Sequence, residues 1–234
     1  MILPEGRLGV LVSLPHNDVT LAAAARDAAA DGLKVHMNIH HRASGTRFGD
    51  LDEEGERLRE IVSLGLATGL VVGAARTVDP AQTRRAAQLG FDYFDVYAAY
   101  ANSTYVADCR PATAMAAIGP NDDTATAAAL VAQGIGAIEV STVDPADYGT
   151  PLSLGTLARL TALRAAVDVP LIVPTQHRLV PADLAALAAA GADAVLLGAV
   201  VTGTTAPAIT AAVAQFRTAA RSTGVHGRRP STVR

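Results

Sequence analysis

Three scarcities set the first limits on this chain. It has one cysteine, Cys109, so no disulfide can close within it, and a reducing compartment fits. Lysine and arginine together number 19, yet Lys34 is the only lysine, so a Schiff-base amine could sit at one position alone. No apolar run is long enough to span a bilayer, and the opening MILPEGR lacks the layout of a signal peptide. Nor is there a charge excess: a net charge of −3 argues against a broad nucleic-acid surface. The expectation is a soluble cytoplasmic protein whose partner is a small anionic molecule rather than nucleic acid or membrane. A homo-oligomer is in keeping with its size.

What is present is apolar and periodic. Half of the 234 residues are hydrophobic, enough for one large domain with a full core. The stretch from Asp168 to Thr205 shows the pattern best. A short apolar strand (Leu171–Pro174) runs into a polar corner, Thr175-Gln176-His177-Arg178. An Ala/Leu-rich helix follows, with Asp183 in its first turn and Gly191 just past its end. A second apolar strand, Ala194–Val201, closes the unit. Continuous apolar strands suit a parallel sheet buried on both faces.

The same helix–Gly–strand junction recurs at Gly32, Gly90, Gly134 and Gly191, where glycine supplies a left-handed helix cap. The remaining strands read as Leu8–Leu14, Leu33–His40, Leu70–Ala75, Phe91–Tyr97, Ala112–Ile118 and Ile135–Ser141. Helices alternate with them, although the link Ala98–Arg110 is short for a full helix. Eight strands alternating with helices over about 250 residues is the pattern of an α/β protein of the (β/α)8 barrel (TIM-barrel) type. A doubly wound sheet would want a Gly-rich first turn, and Leu14-Pro15-His16-Asn17 is not one. The barrel is assigned to residues 1–221 and a flexible, basic tail to 222–234.

In a barrel the active site lies at the carboxyl ends of the strands. Five of the six histidines fall there: His16, His36, His40, His41 and His177; the sixth, His226, is in the tail. Alternation along the second strand packs Val35, Met37 and Ile39 outward and turns Lys34, His36, Asn38 and His40 inward. Four inward polar groups must bond each other or a ligand. His36 and Lys34 suit a polar core layer as well as a site; Asn38 and His40 lie nearer the mouth. Lys34 sits about six positions before the strand end, roughly 20 Å at strand rise, too deep for a Schiff base. The fourth strand offers Tyr93, Asp95 and Tyr97 on one face, and the sixth offers Glu139 and Ser141. Asp95 and Glu139 read either as acid–base groups or as a buried ion pair with Lys34 or an arginine. The loop His41–Asp52 carries Arg42 and Arg47 around Ser44-Gly45-Thr46, and is either a lid that brings guanidinium groups to an anion or a solvated loop.

The segment VDVPLIV…VPADLAALAAAGADAVLLGAVVTG resembles the ribulose-phosphate-binding barrels, among them thiamine-phosphate synthase, N-acylmannosamine-6-phosphate 2-epimerase and ribulose-phosphate 3-epimerase. The resemblance implies a terminal phosphate site, with Gly198, Thr202 and Gly203 as its second half. Its first half departs, because Thr175-Gln176-His177-Arg178 stands where glycines are usual. Arg178 and Gln176 are candidates to replace them. The family's catalytic residues are not matched: Gly73-Ala74-Ala75-Arg76 and Pro174 stand where the amino-sugar epimerase has its lysine and glutamate, and His36-Met37-Asn38 where the pentose epimerase has a metal-binding pair.

The expected function is therefore an isomerase, epimerase or carbon–carbon lyase acting on a phosphorylated or otherwise anionic carbonyl compound. His40, His177, Glu139, Asp95 and His36 are the acid–base candidates, and Asn38 polarises the carbonyl. Arg178, Gln176, Arg42 and Arg47 with the 198–203 turn hold the anion. A metal-dependent lyase or hydrolase and a non-catalytic metabolite-binding barrel are the alternatives. The sequence leaves the cofactor open: a divalent metal is one candidate, and flavin a weaker one.

Overall fold

Eight parallel strands hydrogen-bond side to side until the last meets the first. The structure, a computed structural model, describes residues 3–74 and 77–223. In chain order the strands are β1 (Gly9–Ser13), β2 (Gly32–His36), β3 (Ile39–His41), β4 (Thr46–Phe48), β5 (Thr68–Val71), β6 (Tyr93–Tyr97), β7 (Thr113–Ile118), β8 (Ala137–Val140), β9 (Leu171–Pro174) and β10 (Ala194–Leu197). The closed barrel runs β1-β10-β9-β8-β7-β6-β5-β2, and β3 pairs only with β4, antiparallel, as a separate hairpin. Helices α1 (Val19–Asp27), α2 (Leu51–Val62), α3 (Pro80–Ala87), α4 (Tyr105–Asp108), α5 (Thr124–Ala132), α6 (Leu154–Ala166), α7 (Leu184–Ala189), α8 (Ala199–Thr202) and α9 (Ala206–Ala220) follow the strands. The expected (β/α)8 barrel is therefore the observed fold. None of the described helices is long and apolar enough to cross a membrane.

Local sequence explains the helix starts. Asp18, Asp50, Asp79, Asp123 and Ser153 each accept hydrogen bonds from backbone N–H groups of the first helical turn, which otherwise lack partners. The main core lies between the outer faces of the strands and the helices, with Val10, Val12, Leu33, Val35, Leu70, Phe94, Ile138 and Val195 fully shielded there.

The barrel interior is layered. Its lower layer is apolar, built from Leu11, Tyr93, Met115, Ala137, Ile172, Ala194 and Leu196. Tyr93 crosses this layer and donates from its hydroxyl to the Leu33 carbonyl at 2.8 Å. Only glycine leaves space for that ring at position 69, where an added Cβ would lie 2.0 Å from it. Below, aspartates that directly precede strands tie the base. Asp31 accepts from Val10 N at 2.8 Å and from Arg7 and Arg217; Asp92 accepts from Thr68 N; Asp193 accepts from Leu171 N and Arg164.

Several boundaries differ from the sequence expectation, most of all after the second and last strands. The second strand stops at His36 instead of His40, because Asn38 takes a left-handed backbone (φ 55°), which asparagine tolerates better than most residues. The chain then turns into the β3–β4 hairpin, so the expected loop from His41 is partly sheet. The last strand ends at Leu197 rather than Val201, and its expected end is the one-turn helix α8. The third strand ends at Val71; Ala75 and Arg76 lie outside the described residues, as do tail residues 224–234. The short fourth crossover is met by a 3-10 turn (Ala98–Tyr100) and the single turn of α4, whose Tyr105 anchors it by donating to the Met115 carbonyl.

Candidate active site

Above the apolar layer, inward positions of the strands change character. The register sets Ser13 of β1 beside Lys34 of β2, and Ala117 of β7 beside Glu139 of β8; Val71 of β5 stands beside Asp95 of β6. The result is a cluster at the floor of a cavity of about 370 Å3 opening at the carboxyl ends of the strands. Lys34 Nζ donates to Asp95 Oδ2 at 3.1 Å and makes a closer contact with Glu139 Oε2. Ser141 donates to Glu139 Oε1 at 2.8 Å. Lys34, Asp95, Glu139 and Ser141 are all buried. The ion-pair reading of Asp95 and Glu139 is thus present, with Lys34 as the shared cation.

Two carboxyl groups and one ammonium cannot all be charged cheaply away from water. Burial, then the neighbouring Glu139 carboxylate, push Asp95 up to about 8 against the pull of Lys34. Burial would raise Glu139 too, but Lys34 and the Ser141 hydroxyl outweigh it and hold that group below the usual range. Burial opposes the charge on Lys34, yet Glu139 and Asp95 together hold its pKa above the ordinary value. Burial and the second carboxylate therefore favour the protonated form at Asp95, while Lys34 and Ser141 favour the ionised form at Glu139. Asp95 Oδ1 is buried without a hydrogen-bond partner.

The wall is polar on one side and aromatic on the other. Tyr97, Tyr148, Gln176, Thr175 and Gly198 line it, with Ser13, His36, His40, His41 and Arg42 opposite. Gln176 donates to the Tyr148 hydroxyl at 2.7 Å and accepts from Val143 N, so it braces the wall. His36 lies beneath the hairpin, its ring centroid 4.8 Å from His41 and 4.7 Å from Phe48. Its Nε2 faces the Ser13 hydroxyl at 3.4 Å and its Nδ1 has no partner. Burial, then the charge of His41 and Lys34, keep His36 well below the usual histidine range. Burial and Lys34 bring His41 down to about 4. A second link, Asn17 to the His36 carbonyl and to Glu54, pins α2 to the end of β2.

Of the residues singled out from the sequence, the cavity gathers His36, His40, Asp95, Glu139, Arg42, Gln176 and Gly198. Others are elsewhere. Asn38 does not point into the barrel: the kink at its own backbone turns its amide onto Val72 O and Gln82, in a neighbouring cleft of about 600 Å3 that Arg47 also lines. Arg47 pairs with Glu53 at 2.9 Å on the surface. His177 faces away from the barrel axis; Thr150 and Thr156 hydroxyls occupy its Nδ1 and Nε2 at 3.0 and 2.9 Å. The corner after β9 directs Gln176 inward and its neighbour outward. Arg178 is exposed and lines no part of the cavity. Thr202 is buried and donates to the Gly203 carbonyl, and neither residue reaches the cavity. His16 is exposed.

Lys34 is the residue that sequence reasoning set aside. Its distance from the rim was counted to His40, but the strand ends at His36, two positions on. Tyr148 was missed because it comes from a loop, where no periodicity marks direction. Among the described residues no group of three or more His, Cys, Asp or Glu side chains is placed to hold a metal ion. The strand-end histidines that could serve as ligands are separated: His16 on the surface, His40 on the hairpin, His177 bound by Thr150 and Thr156 away from the cavity.

No protein-family model matches the sequence, and no curated protein matches it. Solved structures do match in shape. The tryptophan synthase of Mycobacterium tuberculosis aligns at TM-score 0.71 and 17% identity, over 92% of this chain and 93% of that one. The thiamine phosphate pyrophosphorylase of Pyrococcus furiosus aligns at TM-score 0.66 and 11% identity, over 94% and 98%. A native KDPGal structure aligns at TM-score 0.63 and 17% identity, over 94% and 98%. At such identities the likeness is one of fold, and it spans nearly the whole chain: this protein shares the (β/α)8 barrel of a thiamine-phosphate enzyme, as the sequence resemblance leads one to expect.

Proposed function

We propose that this protein is a metabolic enzyme that moves a proton at a carbon next to a carbonyl group, as an isomerase or epimerase or as a carbon–carbon lyase. The substrate is a small phosphorylated or otherwise anionic carbonyl compound, and residues 1–221 form the catalytic domain. One observation carries this reading: two carboxyl groups contact the same ammonium at the floor of the cavity, and their environments drive their pKa values apart. Such a divergence is how one site supplies both an acid and a base.

Glu139, held ionised, is the base. It takes the proton from the carbon beside the carbonyl, and the C–H electron pair becomes the enolate. Asp95, still protonated, gives its proton to the enolate oxygen, and Lys34 offsets the negative charge while it develops. Return of a proton from Glu139 to the neighbouring carbon completes an isomerisation, and Asp95 recovers its proton from the adjacent hydroxyl. Lys34 acts as a fixed cation, because an amine held charged by two carboxyl groups is no nucleophile. The acid–base work thus passes from His40 and His177 to the carboxyl pair.

The test is solvent exchange. Phosphorylated ketoses and short 2-oxo acids are incubated with the protein in D2O, and loss of the C–H signal is followed by proton NMR. Enzyme-dependent exchange is expected with one of these classes, slowed at least about 100-fold in Glu139→Gln. Absence of exchange with every compound, or equal exchange in the variant, overturns the assignment.

A further inference from the structure

We infer that the anionic end of the ligand is held by Arg42 on the β3–β4 hairpin and not by the turn at Gly198–Gly203. This rests on the reading above for the existence of an anionic substrate, and it deepens that reading by naming the specificity-determining residue. The charges lining the cavity are Lys34, Arg42, Asp95 and Glu139, histidines apart. Lys34 is paired with both carboxyl groups. Arg42 is exposed and has no ion-pair or hydrogen-bond partner among the described residues. It is therefore the one charge facing the cavity without an ion-pair partner among the described residues, and it is positive. Arg47, five residues on along the same hairpin, is already paired with Glu53.

The rival site is taken in part from within. A short helix after the last barrel strand often binds phosphate through its free N–H groups. Here α8 is a single turn, and the Gly198 N–H at its start donates to Thr175 Oγ1 at 2.7 Å. Thr175 is buried, so this bond is not exchanged readily for one to an ion. The side chain expected to compensate there, Arg178, is turned out to solvent. The hairpin is well placed for the task. Its root is packed by His41 and Phe48 against His36, which fixes where the 42–45 turn lies over the cavity. A small carbonyl compound then spans the cavity with its reacting carbon at Glu139 and a carboxylate or phosphate at the guanidinium, a pairing suited to bidentate hydrogen bonds.

Titration by NMR separates the sources. Inorganic phosphate and pyruvate are added separately to the 15N-arginine-labelled protein, to Arg42→Gln and to Arg47→Gln. For at least one anion we expect saturable shifts at Arg42 Nε, binding weakened at least tenfold in Arg42→Gln, and no such loss in Arg47→Gln. Whichever anion meets this pattern identifies the charged group. Saturable binding that survives in Arg42→Gln overturns the inference, as does a response centred on the 198–203 amides, or no saturable binding of either anion. Because this readout is binding without turnover, it can fail while the exchange assay succeeds, and the reverse.

Discussion

The two ends of the barrel use aspartate in opposite ways. Asp31, at the amino end, has a full set of partners: Arg7, Arg217 and the Val10 N–H. Burial pushes its pKa up, but these partners outweigh it and the group stays below its ordinary value. Asp95, at the carboxyl end, shares a single ammonium with a second carboxylate, leaves Oδ1 unpartnered, and rises to about 8. Two guanidinium groups meet one carboxylate at Asp31, whereas one ammonium meets two carboxyl groups at the cavity floor. A satisfied carboxylate closes the ends of strands; a dissatisfied one keeps a proton that can be given away. The difference follows first from the deeper burial of Asp95, then from the second carboxylate beside it and the fewer cations within reach.

The largest effect should come from removing the one cation of the upper cluster. Lys34→Met leaves Glu139 charged and uncompensated inside the barrel, at a cost of about 3–5 kcal/mol. Arg217→Met at the base leaves Asp31 with Arg7 and the Val10 N–H, so about 1.5–3 kcal/mol is expected. Urea denaturation of both variants reads the pair. Equal losses would erase the distinction between the two ends.

Next is the pH dependence of turnover. If Asp95 gives a proton, kcat/KM with the substrate found by solvent exchange should fall on the alkaline side with an apparent pKa near 8. Asp95→Asn should lower the rate by at least about 100-fold and remove that limb. A limb unchanged in the variant would assign it to another group.

A third, smaller effect lies on the acid side and involves the hairpin. His41 is depressed in the folded protein to about 4, below its ordinary 6.5, and burial depresses His36 as well. Between those values the unfolded chain binds more protons, so stability present above pH 6.5 is lost as pH falls toward 4. For His41 this amounts to on the order of 1–3 kcal/mol. Asp31, with its depressed pKa, begins to lose its contribution only as pH falls below about 4. Thermal melts should therefore show the stability of His41→Phe rising relative to wild type as pH falls from 7 to 4. Parallel curves would contradict the depressed value.

The smallest effect is at Arg42. The Arg42→Gln stability should match wild type within about 0.5 kcal/mol, because the side chain has no hydrogen-bond or ion-pair partner among the described residues. A larger drop in the urea midpoint would mean that the hairpin turn depends on it.

The barrel was readable because its signals are local. Glycine after each helix and continuous apolar strands recur through the chain, and the alternation in β6 and β8 correctly put Asp95 and Glu139 on the inner face. The second strand misled because LKVHMNIH keeps its alternation past the point where the backbone turns. The kink depends on Asn38 adopting φ 55°, which periodicity does not report. That single turn moved Asn38 out of the barrel and brought Lys34 to within two residues of the rim. His177 misled for a related reason: beyond Pro174 the chain is a corner, and each side chain takes its direction from partners such as Thr150 and Thr156 rather than from a strand.

The account depends on one proton. A 13C-carboxyl NMR titration of aspartate- and glutamate-labelled protein, assigned with Asp95→Asn and Glu139→Gln, locates it. The expected result is an Asp95 signal that remains that of a carboxylic acid at pH 6 and titrates near pH 8, while Glu139 is ionised throughout. Two carboxylates both ionised at pH 6, titrating near their ordinary values, would contradict it.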